Sequence, residues 1–519
     1  MTLPHIDYDA TLHILHQNGI KDVQFSTTLF TTILTAFILA RLLRNKFRNG
    51  LSNLPGPTLA SWSRLWVVFD VYKGKHMDTM MSLHKKHGPV VRIGPNKVSI
   101  AESAAIKVIY APSAKFLKSE FYDVMNIKQD GKFNEENPFA TRNEVMHTNV
   151  KRPLAPLFSA LKLLTYEKRV DETSELFFVH LTKRFASTGI PFDLGQWVQF
   201  YAFDVIAQIT FSKPIGFLDQ GKDIDGVIKG LYLFNKYGAI VGQYPELHSL
   251  LLANPIIGWF SDPRRSNPVV QFVEKIFKDR NEETDVSYRD MIQDITDIHR
   301  RSPEKVPAKR VVDVCTGNLI AGSDTTAIAL RSLLHNLLIN PHCYAKLRNE
   351  IDNKDKNGEL SLPIQMKEAS AMPYLQACLK EAMRMHPSVG LGLERVVPKG
   401  GATICGRFFP EGTVVGVNPF VSGRDKAVYG EDVDTFRPER WIEADSDQLL
   451  LMERNFLAFG AGKRLCLGKH VSLLEMSKLV PELIRRFDIT LEDASKDLQV
   501  HDYWFAFQQG LHCRIAVRY

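Results

Sequence analysis

The sequence predicts a mainly α-helical protein with small β-sheets, an α+β chain whose single large domain lies behind an N-terminal transmembrane helix. Three observations predict this. Residues 23–40 carry no charge and include Phe25, Leu29, Phe30, Ile33, Leu34 and Phe37, a run just long enough to cross a bilayer as a helix. Residues 311–339, stopped by Pro341, form the longest apolar stretch after it. The β-branched runs 90–93 and 97–100 are joined by Gly94-Pro95-Asn96, which is the composition of a hairpin turn. Of 519 residues, 45% are hydrophobic and 24% charged, values that suit a packed core and exclude a disordered or collagen-like chain.

At the N-terminus, Thr27, Thr28, Thr31, Thr32 and Thr35 weaken the hydropathy of the apolar run, although a helix can bond such hydroxyls to carbonyls one turn earlier. A cleaved signal peptide would begin with a basic region, whereas Asp7, Asp9 and Asp22 stand here against Lys21. Arg41, Arg44, Lys46 and Arg48 follow the run and supply much of the net charge of +7. The positive-inside rule therefore puts everything beyond residue 41 in the cytosol. The expected order is a lumenal segment 1–22, a transmembrane anchor 23–43, a basic and Pro-rich hinge 44–57 in which Leu54-Pro55-Gly56-Pro57 stops the helix, and one domain 58–519. The rest of the charge is nearly balanced, which argues against nucleic acid as a partner. All six cysteines lie at or after Cys315 and none forms a C-x-x-C pair. That excludes a disulfide scaffold and a four-Cys zinc site and fits a reducing compartment.

For residues 311–339 the rival reading is a second membrane span, which Asp313, Asp324 and Arg331 make costly, so a buried core helix is expected. It contains Ala321-Gly322-Ser323-Asp324-Thr325-Thr326. Gly322 weakens the helix and lets another group approach, while the Thr325 hydroxyl can take over a displaced carbonyl. The bland alternative is a solvent-facing Asp324 beside a tolerated glycine. Glu381 and Arg384 share one face of a helix over residues 375–385, and an exposed pair of that kind is worth only a few tenths of a kcal/mol. Short strands are expected near Val396, over 413–417 and at the C-terminus.

The decisive stretch is Phe459-Gly460-Ala461-Gly462-Lys463-Arg464-Leu465-Cys466-Leu467-Gly468, followed by an apolar-periodic helix to about residue 485. Its glycines permit a tight loop, and Cys466 stands where a helix begins, facing unpaired N–H groups that stabilise a thiolate. The nearest other cysteines, Cys405 and Cys513, are remote in sequence. A single thiolate suits the axial position of a haem iron; the common alternative for a lone cysteine is a buried small hydrophobe.

On Phe459, Gly462, Arg464, Cys466 and Gly468 the chain resembles the cytochrome P450 family, and the resemblance extends over nearly everything after the anchor. It implies the cytochrome P450 fold, haem b as cofactor, Cys466 as the proximal iron ligand, Phe459 over the sulfur and Arg464 on a haem propionate. It makes Asp324 and Thr325 the catalytic relay that brings protons to iron-bound oxygen, and Glu381, Arg384 and Arg440 a structural triad. Arg440 lies in Phe436-Arg437-Pro438-Glu439-Arg440-Trp441, where Trp441 replaces the usual Phe. Arg395 falls where the family supplies a propionate-binding Arg. His147 stands where many members have Trp and Lys151 where they have Arg; both can donate to a carboxylate or can stand on the surface.

Further stretches, Gly88-Pro89-Val90-Val91-Arg92-Ile93, Lys118-Ser119-Glu120-Phe121-Tyr122 and Phe203-Asp204-Val205-Ile206, resemble fungal members similar to pisatin demethylase. The reading is a single-pass protein of the endoplasmic reticulum membrane with a cytosolic catalytic domain. It would insert one oxygen atom into an apolar small molecule, by hydroxylation, epoxidation or dealkylation, in fungal secondary metabolism. Its electrons would come from NADPH through NADPH-cytochrome P450 reductase, docking on cations such as Arg142, Lys151, Arg152, Lys463 and Lys469. By analogy the pocket walls come from 121–133, 203–244, 319–322, 391–393 and the surroundings of Phe505. Two rivals are a haem-thiolate isomerase or dehydratase, which usually lacks the acid and threonine of the oxygen motif, and a haem sensor without turnover.

Overall fold

The computed structural model describes residues 8–126, 128–129, 132–133, 136–253, 268–280 and 289–518. Residues 1–7 of the expected lumenal segment, and 127, 130 and 131 of the expected pocket wall, lie outside them. The helices that position the site are α1 (Tyr8–Lys46), α2 (Glu144–Leu154), α3 (Glu167–Leu181), α4 (Leu194–Phe211), α5 (Val227–Val241), α6 (Ala308–Ile339), α7 (Pro373–Met385) and α8 (Lys469–Arg486). Asn143 caps α2 by accepting from the N–H groups of Val145 and Met146, and Asp193 caps α4 by accepting from Gln196 N–H, which satisfies donors that the helices cannot use.

The strands that frame the site are β1 (Val90–Gly94), β2 (Lys97–Ile100), β3 (Leu117–Lys118), β4 (Phe192–Asp193), β5 (Arg395–Val396), β6 (Val414–Gly416), β7 (Phe487–Leu491), β8 (Gln499–Asp502), β9 (Ala506–Gln509) and β10 (His512–Val517). The largest sheet has the order β1-β2-β6-β5-β3, with Val415 beside Val98 in a parallel pair and Lys118 opposite Arg395 in an antiparallel one. A second sheet runs β7-β10-β4, and β8 pairs with β9. The expected hairpin, the strands near Val396 and 413–417 and the C-terminal strand are all present. The mainly helical fold with small sheets is the predicted one.

α6 is the axis of the domain. Cys315, Leu319, Ala329, Leu330, Leu333, Leu334 and Leu337 are buried in the largest apolar cluster, with Phe200, Phe203 and Ile206 of α4 and Leu474, Leu479 and Leu483 of α8. Phe203, expected at the start of a pocket wall, is wholly buried in this core. Gly322 makes room for α4: a Cβ there would stand 3.1 Å from Ile206 Cγ1. The group that approaches Gly322 is thus a neighbouring helix.

α1 runs without interruption through the boundary expected at residue 23. Its part Ser26–Lys46 has a mean hydropathy of 1.6 and no burial within the protein, and Thr31 and Thr32 bond back to the carbonyl of Thr28 at 2.9 and 2.8 Å. The helix stops well before Pro55, where Asn49 and Gly50 take left-handed φ values of 53° and 64°. The segment expected as a hinge is fastened instead. Buried Arg92 of β1 donates to the carbonyls of Asn45 at 2.7 Å and Lys46 at 2.8 Å, its own N–H donates to Pro55 O at 2.8 Å, and Leu51 is buried. Prolines are common to hinges and to docked extended segments alike, and Arg92 decides for docking here.

Candidate active site

The loop before α8 is shaped by backbone. Cys466 N–H donates to Phe459 O at 2.9 Å and Leu465 N–H to Gly462 O at 3.1 Å. Gly462 has φ 62°, and a Cβ there would stand 1.8 Å from Tyr110 O, so neither conformation nor space admits another residue. The Lys151 ammonium of α2 donates to Lys463 O at 3.1 Å and Leu465 O at 3.0 Å, clamping the loop on both sides of Arg464.

Cys466 is the exposed one of six free cysteines. Yet burial is the largest influence on its thiol and raises its pKa, opposed by the N–H groups of Gly468 and Lys469 and by the charges of Lys151 and Lys469. Accessible surface combined with strong desolvation means that Cys466 faces a space enclosed by protein rather than the outer surface. The four opposing influences all favour the thiolate form.

One face of α6 is open in the same region. Gly317 and Ala321 are exposed and Thr325 half-buried, at successive turns of a helix whose neighbouring positions are half-buried or buried. Thr325 Oγ1 donates to Ala321 O at 2.7 Å, the capture of a helical carbonyl that the sequence suggests. Thr326 instead bonds Ser472 Oγ of α8 at 3.1 Å, which ties α6 to the first turn of the helix that Cys466 precedes. Small side chains leave this face free for a flat ligand.

Beside the loop lies a group of cations. Lys118 stands directly opposite Arg395 across β3 and β5, a like-charge pairing that destabilises a sheet. Both are buried, the Lys118 ammonium lies 4.0 Å from the Tyr122 ring and 4.2 Å from the Phe139 ring, and it donates to Phe139 O. Arg464 pairs with Glu144 at 2.8 Å. His147 is buried on α2, and burial, then Arg464, Lys151 and Lys118, push its pKa down to about 3, so it is neutral. Burial, Arg395 and Arg464 lower the pKa of Lys118 well below its ordinary value. Repelling, desolvated cations with Glu144 as their nearby counter-charge form a site for a ligand carrying two carboxylates. The donor set fits a haem, whose edge bears two propionates. Lys118 was not singled out for this role from sequence, because its partner Arg395 is brought opposite by sheet register.

The family model for Cytochrome P450 matches residues 54–509. The chain belongs to the cytochrome P450 family. Among curated relatives, the P450 chain is 38% identical over 460 residues to a cytochrome P450 monooxygenase of Aspergillus terreus, covering 86% of this chain and 92% of the relative. It is 37% identical over 482 residues to the cytochrome P450 monooxygenase cicH of Emericella nidulans, covering 91% and 95%. It also matches the cytochrome P450 monooxygenase mpaDE of Penicillium roqueforti at 35% identity, covering 90% of this chain and spanning 55% of that longer relative. As a P450 monooxygenase the protein is an oxidoreductase that works with haem iron, a reductase and a small-molecule substrate.

Two polar clusters of this P450 remain. Glu381 accepts from Arg384 Nε and Nη2 at 2.9 and 2.8 Å, Arg440 Nε at 2.9 Å, Trp441 Nε1 at 2.9 Å and Arg437 N–H at 3.0 Å. Burial works to raise its pKa, but the bond and charge of Arg384 and the charge of Arg440 prevail and hold it below its ordinary value. On α6, Asp324 is buried against α4 and accepts from Gln199 Nε2 at 2.7 Å. Its pKa is pushed up to about 6 by burial, against the Gln199 bond and the Arg331 charge. Asp324 and Thr325 are thus neighbours in sequence on different faces of α6. The expected wall residues Phe121, Tyr122, Met125, Leu391 and Phe505 join Trp504 in one apolar cluster.

Proposed function

We propose that the chain is a membrane-anchored haem-thiolate monooxygenase that oxidises an apolar small molecule by hydroxylation, epoxidation or dealkylation. The observation that carries this reading is Cys466 facing an enclosed space next to the open, small-residue face of α6 that bears Thr325. Cys466 would ligate the iron of haem b, with Arg464, Arg395 and Lys118 holding the propionates and neutral His147 able to donate a further bond. Lys151 holds the carbonyls of the cysteine loop and so orients the sulfur. Bound in this way, the haem would supply the activation of dioxygen, and a thiolate ligand favours O–O cleavage.

The protein's own part is placement of protons and substrate. Thr325 Oγ1, whose own hydrogen is donated to Ala321 O, would accept a bond from a water at the open face and so hold that water's proton in place. Asp324, with a pKa pushed up to about 6, would resupply that proton from Oδ2, the oxygen that has no partner among the described residues. The cluster of Phe121, Met125, Trp504 and Phe505 excludes water and favours an apolar substrate. On the opposite side Gly238 and Gly242 of the α5 region pack against Met125 and Phe121; a Cβ at these glycines would stand 2.8 and 2.5 Å from them.

The span Ser26–Lys46 of α1, which ends in the basic residues Arg41, Arg44 and Lys46, supports a single-pass anchor in the endoplasmic reticulum with the domain in the cytosol. Electrons would come from NADPH through NADPH-cytochrome P450 reductase. The fungal relatives named as monooxygenases support a place in fungal secondary metabolism. The test is co-expression with the reductase in microsomes. Reduced protein with carbon monoxide should give the Soret band of thiolate ligation, Cys466→Ala should abolish it, and a strain lacking the gene should accumulate a substrate that these microsomes oxidise with NADPH. A Cys466→Ala protein that kept the band would overturn the ligand assignment.

A further inference from the structure

Asp324 is one end of a linear chain of three buried side chains. Arg331, about two turns further along α6, donates from Nε to Gly195 O at 2.7 Å and from Nη2 to Gln199 Oε1 at 2.7 Å. Gln199 Nε2 then donates to Asp324 Oδ1 at 2.7 Å. Asp324 Oδ2 is buried and has no hydrogen-bond partner among the described residues. Gly195 at the base of α4 gives the guanidinium its seat, since a Cβ there would stand 3.0 Å from Arg331 Nε.

The chemistry of the chain leaves one arrangement of hydrogens. A guanidinium donates only, so the Gln199 atom facing it must be the carbonyl oxygen, and the amide NH₂ must therefore face Asp324. A hydrogen on Oδ1 would meet that NH₂ donor to donor. We propose that Gln199, oriented by Arg331, is a positioning residue that confines the acidic proton of Asp324 to Oδ2, the oxygen free to deliver it. The inference rests on the relay reading of Asp324 given above and adds the groups that make it directional.

On delivery the O–H bond of Oδ2 breaks, the proton passes to a water held by the Thr325 hydroxyl while that water releases one of its own hydrogens to the open face, and the electron pair stays on the carboxylate. The carboxylate retains the Gln199 bond and the Arg331 charge, which stabilise it until it is reprotonated. The groups acting on Asp324 are Gln199 of α4, Arg331 of its own helix and Asp223, which opposes ionisation, while Asp193 faces Arg331.

The test is infrared difference spectroscopy of the full-length, haem-loaded protein as a function of pH, with the carboxylic C=O band of Asp324 identified by its loss in Asp324→Asn. In Gln199→Met, which keeps length but donates nothing, the band should move to higher frequency because its carbonyl loses a donor. Its titration midpoint should move to higher pH because the charged form loses one. In Gln199→Glu, which pairs with Arg331 and presents an acceptor to Oδ1, the proton should sit between the two carboxylates, so the band should move to lower frequency and product per NADPH should fall. A band and midpoint unchanged in both variants would overturn the proposal. Shifted bands combined with full coupling in Asp324→Asn would leave the control of the proton by Gln199 standing and would instead remove Asp324 from the relay.

Discussion

The indole Nε1 of Trp441 donates to Glu381 Oε2 at 2.9 Å. A Phe, usual in the family at this position, could not make this bond, so the departure adds a donor to a carboxylate already held by Arg384 and Arg440. Trp441→Phe should cost about 1–2 kcal/mol, read as a lower urea midpoint with the haem content of the folded protein unchanged. Glu381→Gln should be far worse, about 3–5 kcal/mol, because the buried Arg384 guanidinium loses its counter-charge and Arg440 keeps only Asp432. Equal midpoints for Trp441→Phe and wild type would show that the indole bond contributes nothing.

Lys118→Met removes one of two cations that face each other across β3 and β5. The protein without haem should become more stable, since a buried repulsion is relieved. Haem should dissociate roughly ten- to a hundredfold faster, as expected for a lost charge-assisted bond of about 1.5–3 kcal/mol. Transfer of haem to an apo-globin acceptor measures the second effect; unchanged transfer would remove Lys118 from the propionate site.

The contrast between Lys118 and Cys466 marks what the sequence could reveal. The cysteine loop is local: its glycines, Arg464 and Cys466 lie within ten residues, and backbone bonds close it. Helix α6 was legible from one long apolar period, and the hairpin from Gly94-Pro95-Asn96. Lys118 and Gln199 owe their roles to register between distant segments, which no local pattern encodes. The same limit applies to Gly322, whose need for a hydrogen side chain comes from Ile206 on another helix.

Thr325→Ala should leave haem content and substrate binding nearly intact while product per NADPH falls and hydrogen peroxide rises. Positioned proton transfer contributes about 10²- to 10⁴-fold, well above the effect of losing one small half-buried side chain. Thr326 cannot take over, because it bonds Ser472 on α8. Wild-type coupling in Thr325→Ala would end the hydroxyl's part in the relay.

Two truncations should behave differently. A chain starting at Arg41 should leave the membrane after a carbonate wash and keep wild-type stability. A chain starting at Ser52 also loses the carbonyls of Asn45 and Lys46 that Arg92 grips and the buried Leu51. It should be less stable by about 2–4 kcal/mol. Equal urea midpoints would refute a structural role for the fastening.

Asp502 predicts a pH effect. It is buried, Oδ2 accepts from Met77 N–H at 2.6 Å, and burial pushes its pKa up to about 7 from the ordinary 3.8, with His76 pulling it down and Asp78 and Asp70 pushing it up. A raised folded pKa means that the neutral acid is favoured by folding, so this contribution is full below the unfolded value and fades as pH rises through the folded one. Wild type should lose stability relative to Asp502→Asn between about pH 4 and pH 7. Parallel stability curves would refute the assignment.

Arg92 also has a mechanical consequence. It joins the last carbonyls of α1 to the first strand of the sheet, and Asn49 adds a 2.7 Å bond to Asn96 at the turn. A bilayer-inserted α1 would then act as a strut rather than a tether. The tilt of that one helix would dictate the angle at which the whole domain leans on the membrane, and with it how deeply any substrate entrance dips into the lipid. Replacing Arg92 by Met would turn the strut into a swivel, and the domain would sample many attitudes over the same bilayer.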